Sequence, residues 1–342
     1  MKSTMKDVAV VAGVSVATVS HVLNNTKHIT DTIRQRVYDA IETLNYKPNI
    51  NARNFKMGKQ QTIGFVVPDI ANSFFSTLIN EVEGVVAKQD YLLLVVNTQE
   101  NPEMEKQQLH RLTSGLVDGV IVASTFDDYN MIRHVIPNSF PVVFIDRKLK
   151  NCSCDTIVIS NYNAVYKGVE ELILQGHRRI GCITGSQRLS TLDERLQAYR
   201  NCVTEHNIEV DEELILSVDV TKKIDMEVLA RYFTHKMTAM VFLNNTITVD
   251  AFGYLVHKGV VFSRNMDAVG YSDAGWHEYA INAIDVISQP IAEMGNIAAA
   301  RILERIDNPV VKKDEIVLQA VYVPRQQRAP VSPVEFPKTP IN

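Results

Sequence analysis

Hydroxyls, amides and small apolar side chains gather at two kinds of place in this sequence, and each suits a different ligand. Near the start, the run from Ser15 to His21 offers Val16, Ala17, Thr18, Ser20 and His21 as groups small or polar enough to face a groove. Ser and Thr hydroxyls bond base edges or phosphates, and Ala or Val methyls pack on a thymine methyl, so this run could read a DNA major groove. An ordinary surface pair of helices would carry the same residues. Further on, short polar runs punctuate apolar ones: Pro68 to Phe75, Asn97-Thr98, Ser124-Thr125, Asp146-Arg147, Gly185-Ser186, Asn244-Asn245 and Gly270 to Trp276. Aromatic rings stack on the C–H face of a sugar while Asn, Asp and Arg bond its hydroxyls, so these runs suit a hydroxyl-rich small molecule.

Other chemistries find less support. No Gly-x-Gly-x-x-Gly follows the first apolar run and no Walker lysine is present, which disfavours a nucleotide cofactor. His-Glu-x-x-His, Gly-x-Ser-x-Gly and a credible acid pair are missing too, so neither an enzyme nor a cofactor is expected. Cys152, Cys154, Cys182 and Cys202 match neither a disulfide framework nor a zinc spacing and are expected to be reduced and structural, with no metal. No apolar run is long enough for a membrane span, and the first six residues lack a secretory apolar stretch, so a cytoplasmic location is expected.

To present Val16 to His21, the chain must fold two short helices about a tight turn. Thr4 and Asp7 have capping-box spacing, which starts a helix near Met5 with Val8, Val11 and Ala12 on one apolar face. Gly13 supplies backbone freedom for the turn, and Ser15 can cap a second helix whose Val19, Val22 and Leu23 face inward. Thr30 and Asp31 can cap a third, with Ile33, Val37, Ile41 and Leu44 at helical spacing. Residues 1–60 hold nine Lys and Arg against four acids, a charge of +5, whereas the remainder carries −9 and the whole chain −4. A basic module on an acidic body points to a polyanion partner for the first part.

The later runs need a scaffold that brings distant loops together. With 342 residues, 46% hydrophobic and 22% charged, the chain has the composition of a globular protein of two or three domains. Strands are expected at 63–67, 91–97, 118–123 and 142–146, with helices at 75–88, 102–114 and 129–136. The pattern then restarts, with helices at 164–175, 192–206, 224–233, 249–258 and 291–306 and strands at 180–184, 214–218, 239–243 and 268–270. Near-continuous Val, Ile and Leu strands between amphipathic helices imply parallel sheets covered on both faces. Two such doubly wound lobes leave a cleft at the carboxyl ends of their strands. The expected fold class is therefore an all-α helix-turn-helix headpiece (1–47), a linker (48–60) and a two-lobed α/β body (61–325), followed by a Pro-rich tail (326–342).

With these parts in view, the chain from about Met5 to Arg325 resembles transcription repressors of the LacI/GalR family. The resemblance rests on Lys6-Asp-Val-Ala, Ala12 to Ser20, Leu44-Asn-Tyr-Lys-Pro-Asn49, Ala52-Arg53, Ile63-Gly, Val67-Pro-Asp-Ile, Val117-Asp-Gly-Val-Ile, Gly176 to Gly181 and Gln289-Pro290. It implies a periplasmic-binding-protein-like body, a homodimer, a near-palindromic operator and a small sugar-type effector acting allosterically. It also implies that 49–56 is a hinge helix that folds on DNA and drives an apolar wedge, here Phe55, into the minor groove. The implied DNA-contacting set is Lys6, Ser15, Val16, Ala17, Thr18, Ser20, His21, Asn24, Asn49, Ala52, Arg53 and Phe55. The effector set is Asn72, Phe74, Phe75, Asp146, Arg147, Arg195, Asn244, Ser272, Trp276 and Gln289.

Departures from the family pattern sharpen the expectation. His21 and Phe55 stand where Arg and Leu are common, which changes the hydrogen-bonding and shape of the DNA-facing surface. Asn245 and Ser272 stand where acids are common, leaving Arg147 and Arg195 to set the field at the ligand. An anionic ligand, a sugar acid or sugar phosphate, would gain from that change. Trp276 resembles the tryptophan of ketogluconate-type regulators and could stack on such a ligand; rim packing would explain it equally. Phe75 as core, Asp146 and Arg147 as a loop ion pair, and Asn244 as a turn former are the plainer readings of those residues. A sugar-binding protein of periplasmic type would share the body without the basic headpiece.

Overall fold

A computed structural model describes residues 3–24, 27–47, 58–187, 189–262, 266–272 and 284–325. The chain forms two compact units, Met1–Gln60 and Gln61–Asn342. In the first, α1 (Met5–Ala12), α2 (Val16–Asn24) and α3 (Asp31–Thr43) enclose a small core centred on Val8, Ala12, Val19, Val22, Val37 and Tyr46. The capping box forms: the Thr4 hydroxyl accepts from the Asp7 amide, and the Asp7 carboxylate accepts from the Thr4 amide at 2.8 Å. Gly13 ends α1 at φ +62°, and the axes of α1 and α2 bend by 102°.

Arg36 of α3 closes this turn by donating to the Ala12 carbonyl at 2.5 Å and the Gly13 carbonyl at 3.3 Å. A Cβ on Gly13 would lie 2.5 Å from Arg36 Nη2, the movable end of that side chain, so it is the left-handed conformation that calls for glycine. Val11 does not face inward as expected but is 53% exposed, and Ala9 takes a core place. The helical period puts Val11 roughly 100° from the stripe of Met5, Val8, Ala9 and Ala12. Thr30 stands at the start of α3 without a side-chain capping bond.

In the second unit a first lobe begins with β1 (Thr62–Val67), α4 (Ser73–Val86), β2 (Leu92–Asn97), α5 (Pro102–Thr113), β3 (Gly119–Val122), β4 (Val142–Asp146) and β5 (Asp155–Ser160). The chain then builds a second lobe from α6 (Tyr162–Leu174), β6 (Ile180–Gly185), α7 (Ser190–Glu205), β7 (Ile215–Val218), α8 (Met226–Tyr232), β8 (Ala239–Phe242), α9 (Asn245–His257), β9 (Asp267–Tyr271) and β10 (Asp285–Ser288). It returns to the first lobe through α10 (Ile291–Asp307), where Gly295 lies against Leu78 and Glu81 and Ile302 against Gly119. Finally β11 (Glu315–Gln319) joins the first sheet and β12 (Val321–Val323) the second.

The sheet orders are β11-β5-β4-β3-β1-β2 and β12-β10-β9-β8-β6-β7. Two expectations need correction here. The sheets are not wholly parallel, because β12 runs antiparallel to β10. Residues 129–136 form two 3-10 turns, Tyr129–Met131 and Arg133–Val135, rather than a helix, since Ile132 between them leaves the helical region at φ −124°. Strands β5, β10, β11 and β12 add to the expected set. The four cysteines are unpaired, and all but Cys152 are buried. Among the described residues no single helix is long and apolar enough to cross a membrane.

Candidate functional site

The loops at the carboxyl ends of β1, β2 and β4 in one lobe face those of β7, β8 and β10 in the other across a cleft of about 400 Å³. On the first-lobe side Asn72 caps α4 by accepting from the Phe74 amide at 3.0 Å, and this sets two aromatics at the helix start. Phe74 and Phe75 meet edge to face with centroids 5.1 Å apart; both line the cleft and both belong to the core. The ligand-facing and core readings of Phe75 are thus compatible.

Asp146 ends β4 in the left-handed region at φ +67° and, with Arg147, is buried in the cleft wall. Arg147 is forked onto Glu100, Nη1 to Oε2 at 2.8 Å and Nη2 to Oε1 at 2.5 Å, and Nη1 also donates to the Ser124 carbonyl at 3.0 Å. Burial raises the Asp146 carboxyl, against the opposing charges of Arg147 and Arg195. Burial works against the charge on Arg147, but the bond and charge of Glu100 outweigh it, so its pKa lies above the usual value. The inner cleft therefore holds two acids, Asp146, whose charged form burial disfavours, and Glu100, with two guanidinium groups, Arg147 and Arg195. Arg147, expected from sequence to set the field at the ligand, is paired with Glu100.

From the second lobe, Arg195 of α7 donates to the Leu243 carbonyl at 2.9 Å and stacks over the Tyr271 ring at 3.9 Å. None of the salt bridges among the described residues involves it. Its neighbour Glu194 is spent elsewhere, accepting from the amides of Asn161 and Tyr162 at the start of α6. Asn244 caps α9 through its side-chain oxygen, which accepts from the Thr246 amide at 2.9 Å, so the turn-forming role is seen alongside a place in the cleft. Gln289 enters the cleft wall just after β10.

Three buried donors here, Arg147 Nε, Arg195 Nε and Gln289 Nε2, make no hydrogen bond. The nearest carboxylate to the first, Asp146 Oδ2, stands 3.5 Å away. A buried donor without a partner costs roughly 1–3 kcal/mol, so an acceptor-rich ligand would be rewarded in this cleft.

Of the sequence-expected effector residues, Asn72, Phe74, Phe75, Asp146, Arg147, Arg195, Asn244 and Gln289 are brought together. Ser272 is buried at the end of β9 and is not among the cleft-lining residues. Trp276 lies outside the described residues, as does Asp273. Glu100, Thr191, Thr221 and Lys222 line the cleft without having been expected. Glu100 stands two residues beyond the Asn97-Thr98 run, and its approach depends on consecutive left-handed residues, Gln99 and Glu100, both at φ +53°. Nothing in those two side chains announces that conformation.

In the first unit α2 carries the other candidate surface. Ser15, Val16, Ala17 and Asn24 are exposed, Thr18, Ser20 and His21 half-buried, and Lys6 of α1 exposed. The Thr18 amide donates to the Ser15 hydroxyl at 3.0 Å, and Asn24 donates to the Ser20 carbonyl at 2.8 Å. Val19 and Val22 turn inward as expected, leaving a hydroxyl-rich outer face. Asn49, Ala52, Arg53 and Phe55 lie outside the described residues.

Comparison with known proteins matches both units. Residues 4–49 match the description "Bacterial regulatory proteins, lacI family", and residues 60–326 match "Periplasmic binding proteins and sugar binding domain of LacI family". The chain is 30% identical to the ribose operon repressor of Haemophilus influenzae, over 95% of this chain and 98% of that one. It is also 30% identical to the HTH-type transcriptional repressor PurR of Mannheimia succiniciproducens, again over 95% and 98% of the two chains. A solved structure of the Lac repressor bound to ONPG, 23% identical, superposes with a TM-score of 0.79 over 94% of this chain and 98% of that one. A helix-turn-helix unit and a two-lobed body, each matched over almost its whole length, place this chain in the LacI family of bacterial regulatory proteins.

Proposed function

We propose that this chain is a transcriptional repressor whose operator affinity is set by a small sugar in the cleft. The observation that carries the effector half is the set of three unpartnered buried donors beside Phe74 and Phe75. A pyranose or furanose offers acceptor oxygens to Arg147, Arg195 and Gln289 and a C–H face to the rings. The Glu100 carboxylate, which already fills the Arg147 fork, favours a neutral sugar over the sugar acid or sugar phosphate expected from sequence. Asn72, Asp146 and Asn244 complete the polar set. The ribose operon repressor and the HTH-type repressor PurR named above support the repressor half, which acts as a homodimer on a near-palindromic operator.

On the DNA side Lys6, Ser15 and Asn24 hold phosphates, while Val16, Ala17, Thr18, Ser20 and His21 face base edges; Asn49, Ala52, Arg53 and Phe55 act from the hinge. The sugar favours one arrangement of the lobes, and that arrangement changes the fit of paired headpieces to the operator. The test is a thermal-shift screen of sugars, followed by operator binding with and without each hit. A neutral sugar should raise the melting temperature and change operator affinity, and operator affinity should fall steeply with salt. A chain that binds a sugar but no operator at low salt would instead be a sugar-binding protein, and the repressor reading would fall.

A further inference from the structure

Glu100 sits where Arg147 would otherwise offer the cleft an open cationic fork. Its carboxylate takes both terminal nitrogens of Arg147, the geometry in which a guanidinium receives a ligand carboxylate. The pair is well shielded, with the Arg147 side chain 6% and the Glu100 side chain 12% exposed. The loop is shaped for this delivery: Gln99 and Glu100 are both left-handed at φ +53°, the Glu100 amide donates to the Pro68 carbonyl at 3.1 Å and the Asn101 amide to the Thr98 carbonyl at 2.9 Å. Behind it, buried Glu105 binds Ser124 and Thr125, which fixes the Ser124 carbonyl that also receives Arg147. Arg147 is thus held on two sides, and only its Nε, ion-paired with Asp146 at 3.5 Å, is left without a hydrogen bond.

We propose that Glu100 is the specificity-determining residue of the cleft, selecting neutral sugars over acidic ones by occupying the Arg147 fork. A neutral hydroxyl bonds the remaining Nε without disturbing the pair. A ligand carboxylate meets Glu100 as a like charge, and must displace it to reach the fork. Arg195, held by the Leu243 carbonyl and stacked over the Tyr271 ring, keeps its Nε without a hydrogen bond; it is the same in wild type and in Glu100 variants, so a change in acid-to-neutral preference between them reports the Arg147 fork. Replacing Glu100 with Gln removes the carboxylate from the Arg147 fork while keeping the side-chain length.

This inference rests on the sugar reading above. Its test uses the full chain and matched pairs that differ only at C6, D-glucose with D-glucuronate and D-galactose with D-galacturonate, together with D-ribose as a neutral reference for binding. Calorimetric titration should give the wild type a preference for the neutral member of a pair. In Glu100→Gln the acid-to-neutral affinity ratio should rise at least tenfold, and in Glu100→Ala it should rise in the same direction. A wild type that prefers the uronate, or a ratio unchanged in both variants while a sugar still binds, overturns the role of Glu100 and leaves the sugar reading intact. Absence of binding by all five sugars to the wild type and to both variants overturns both.

Discussion

Glu105 has no exposed surface, yet it is a carboxylate whose oxygens accept from the Ser124 hydroxyl at 2.5 Å and from the Thr125 amide at 2.7 Å. Burial raises its pKa above the usual 4.5, although the bonds from Ser124 and Thr125 and the charge of Arg147 oppose the shift. The unfolded chain releases this proton near 4.5 and the folded chain at a higher pH, so the group subtracts stability as pH rises through that interval. Glu105→Gln keeps an oxygen that accepts from Thr125, sets an amide NH2 where Ser124 now donates, and removes the ionisation. Its unfolding free energy relative to wild type should therefore move in the variant's favour between about pH 4 and pH 7 in urea titrations; an offset equal at both pH values would refute the assignment. At this scale the sequence was readable where a residue's chemistry coincides with its place. Asn72 and Asp146 lie in polar runs after apolar strands, whereas Arg195 and Gln289 were reached through the family resemblance. Glu100 was not found, because its approach to Arg147 depends on two backbone angles.

Local capping and turn chemistry made the headpiece legible. Thr4, Asp7, Gly13 and Ser15 each act at short range, within three residues or at a single φ angle, and all four appear as expected. Gly13 gives the sharpest test of this element. Alanine there must adopt φ near +62° and bring a Cβ to 2.5 Å from Arg36 Nη2. The left-handed backbone alone costs ~1–2 kcal/mol, and if the headpiece relieves that strain by shifting α2 on the operator the same energy lost from binding is about tenfold in affinity. Operator titration of Gly13→Ala should show that loss, while sugar-induced stabilisation of the body, a separate compact unit, stays as in wild type. Strands were harder where they are short or at an edge. β10 has four residues, and β12 has three of alternating exposure, too few for a period to register. β11 at the sheet edge exposes much of its length, and β5 follows a polar loop that hid its start. Residues 129–136 show the opposite error, an apolar spacing of helical type in a segment that makes only two separate turns.

The whole body is tied together by what the strand pattern alone did not reveal, namely that the chain passes between lobes three times, after β5, β10 and β11. Two of these passages sit side by side, where the Ala320 amide donates to the Ser160 carbonyl at 3.0 Å. The third holds Gln289, whose side chain lines the cleft with one unpartnered donor. A ligand that bonds Gln289 and Arg195 together with Arg147 thus acts on both lobes and on a passage between them. Short passages of this kind absorb rotation of one packed lobe against another. If such a rotation is what the operator senses, sugar and DNA are linked through one equilibrium, and their effects on each other must be equal. The factor by which a saturating sugar changes operator Kd should equal the factor by which saturating operator changes sugar Kd, at about 5- to 150-fold for a coupling of ~1–3 kcal/mol. Sugar titrations with free and operator-bound protein measure one factor, and operator titrations with and without sugar the other. Unequal factors would mean that the sugar acts on a third state, such as the monomer–dimer balance, and repeating both titrations across protein concentrations would reveal it as a concentration-dependent ratio.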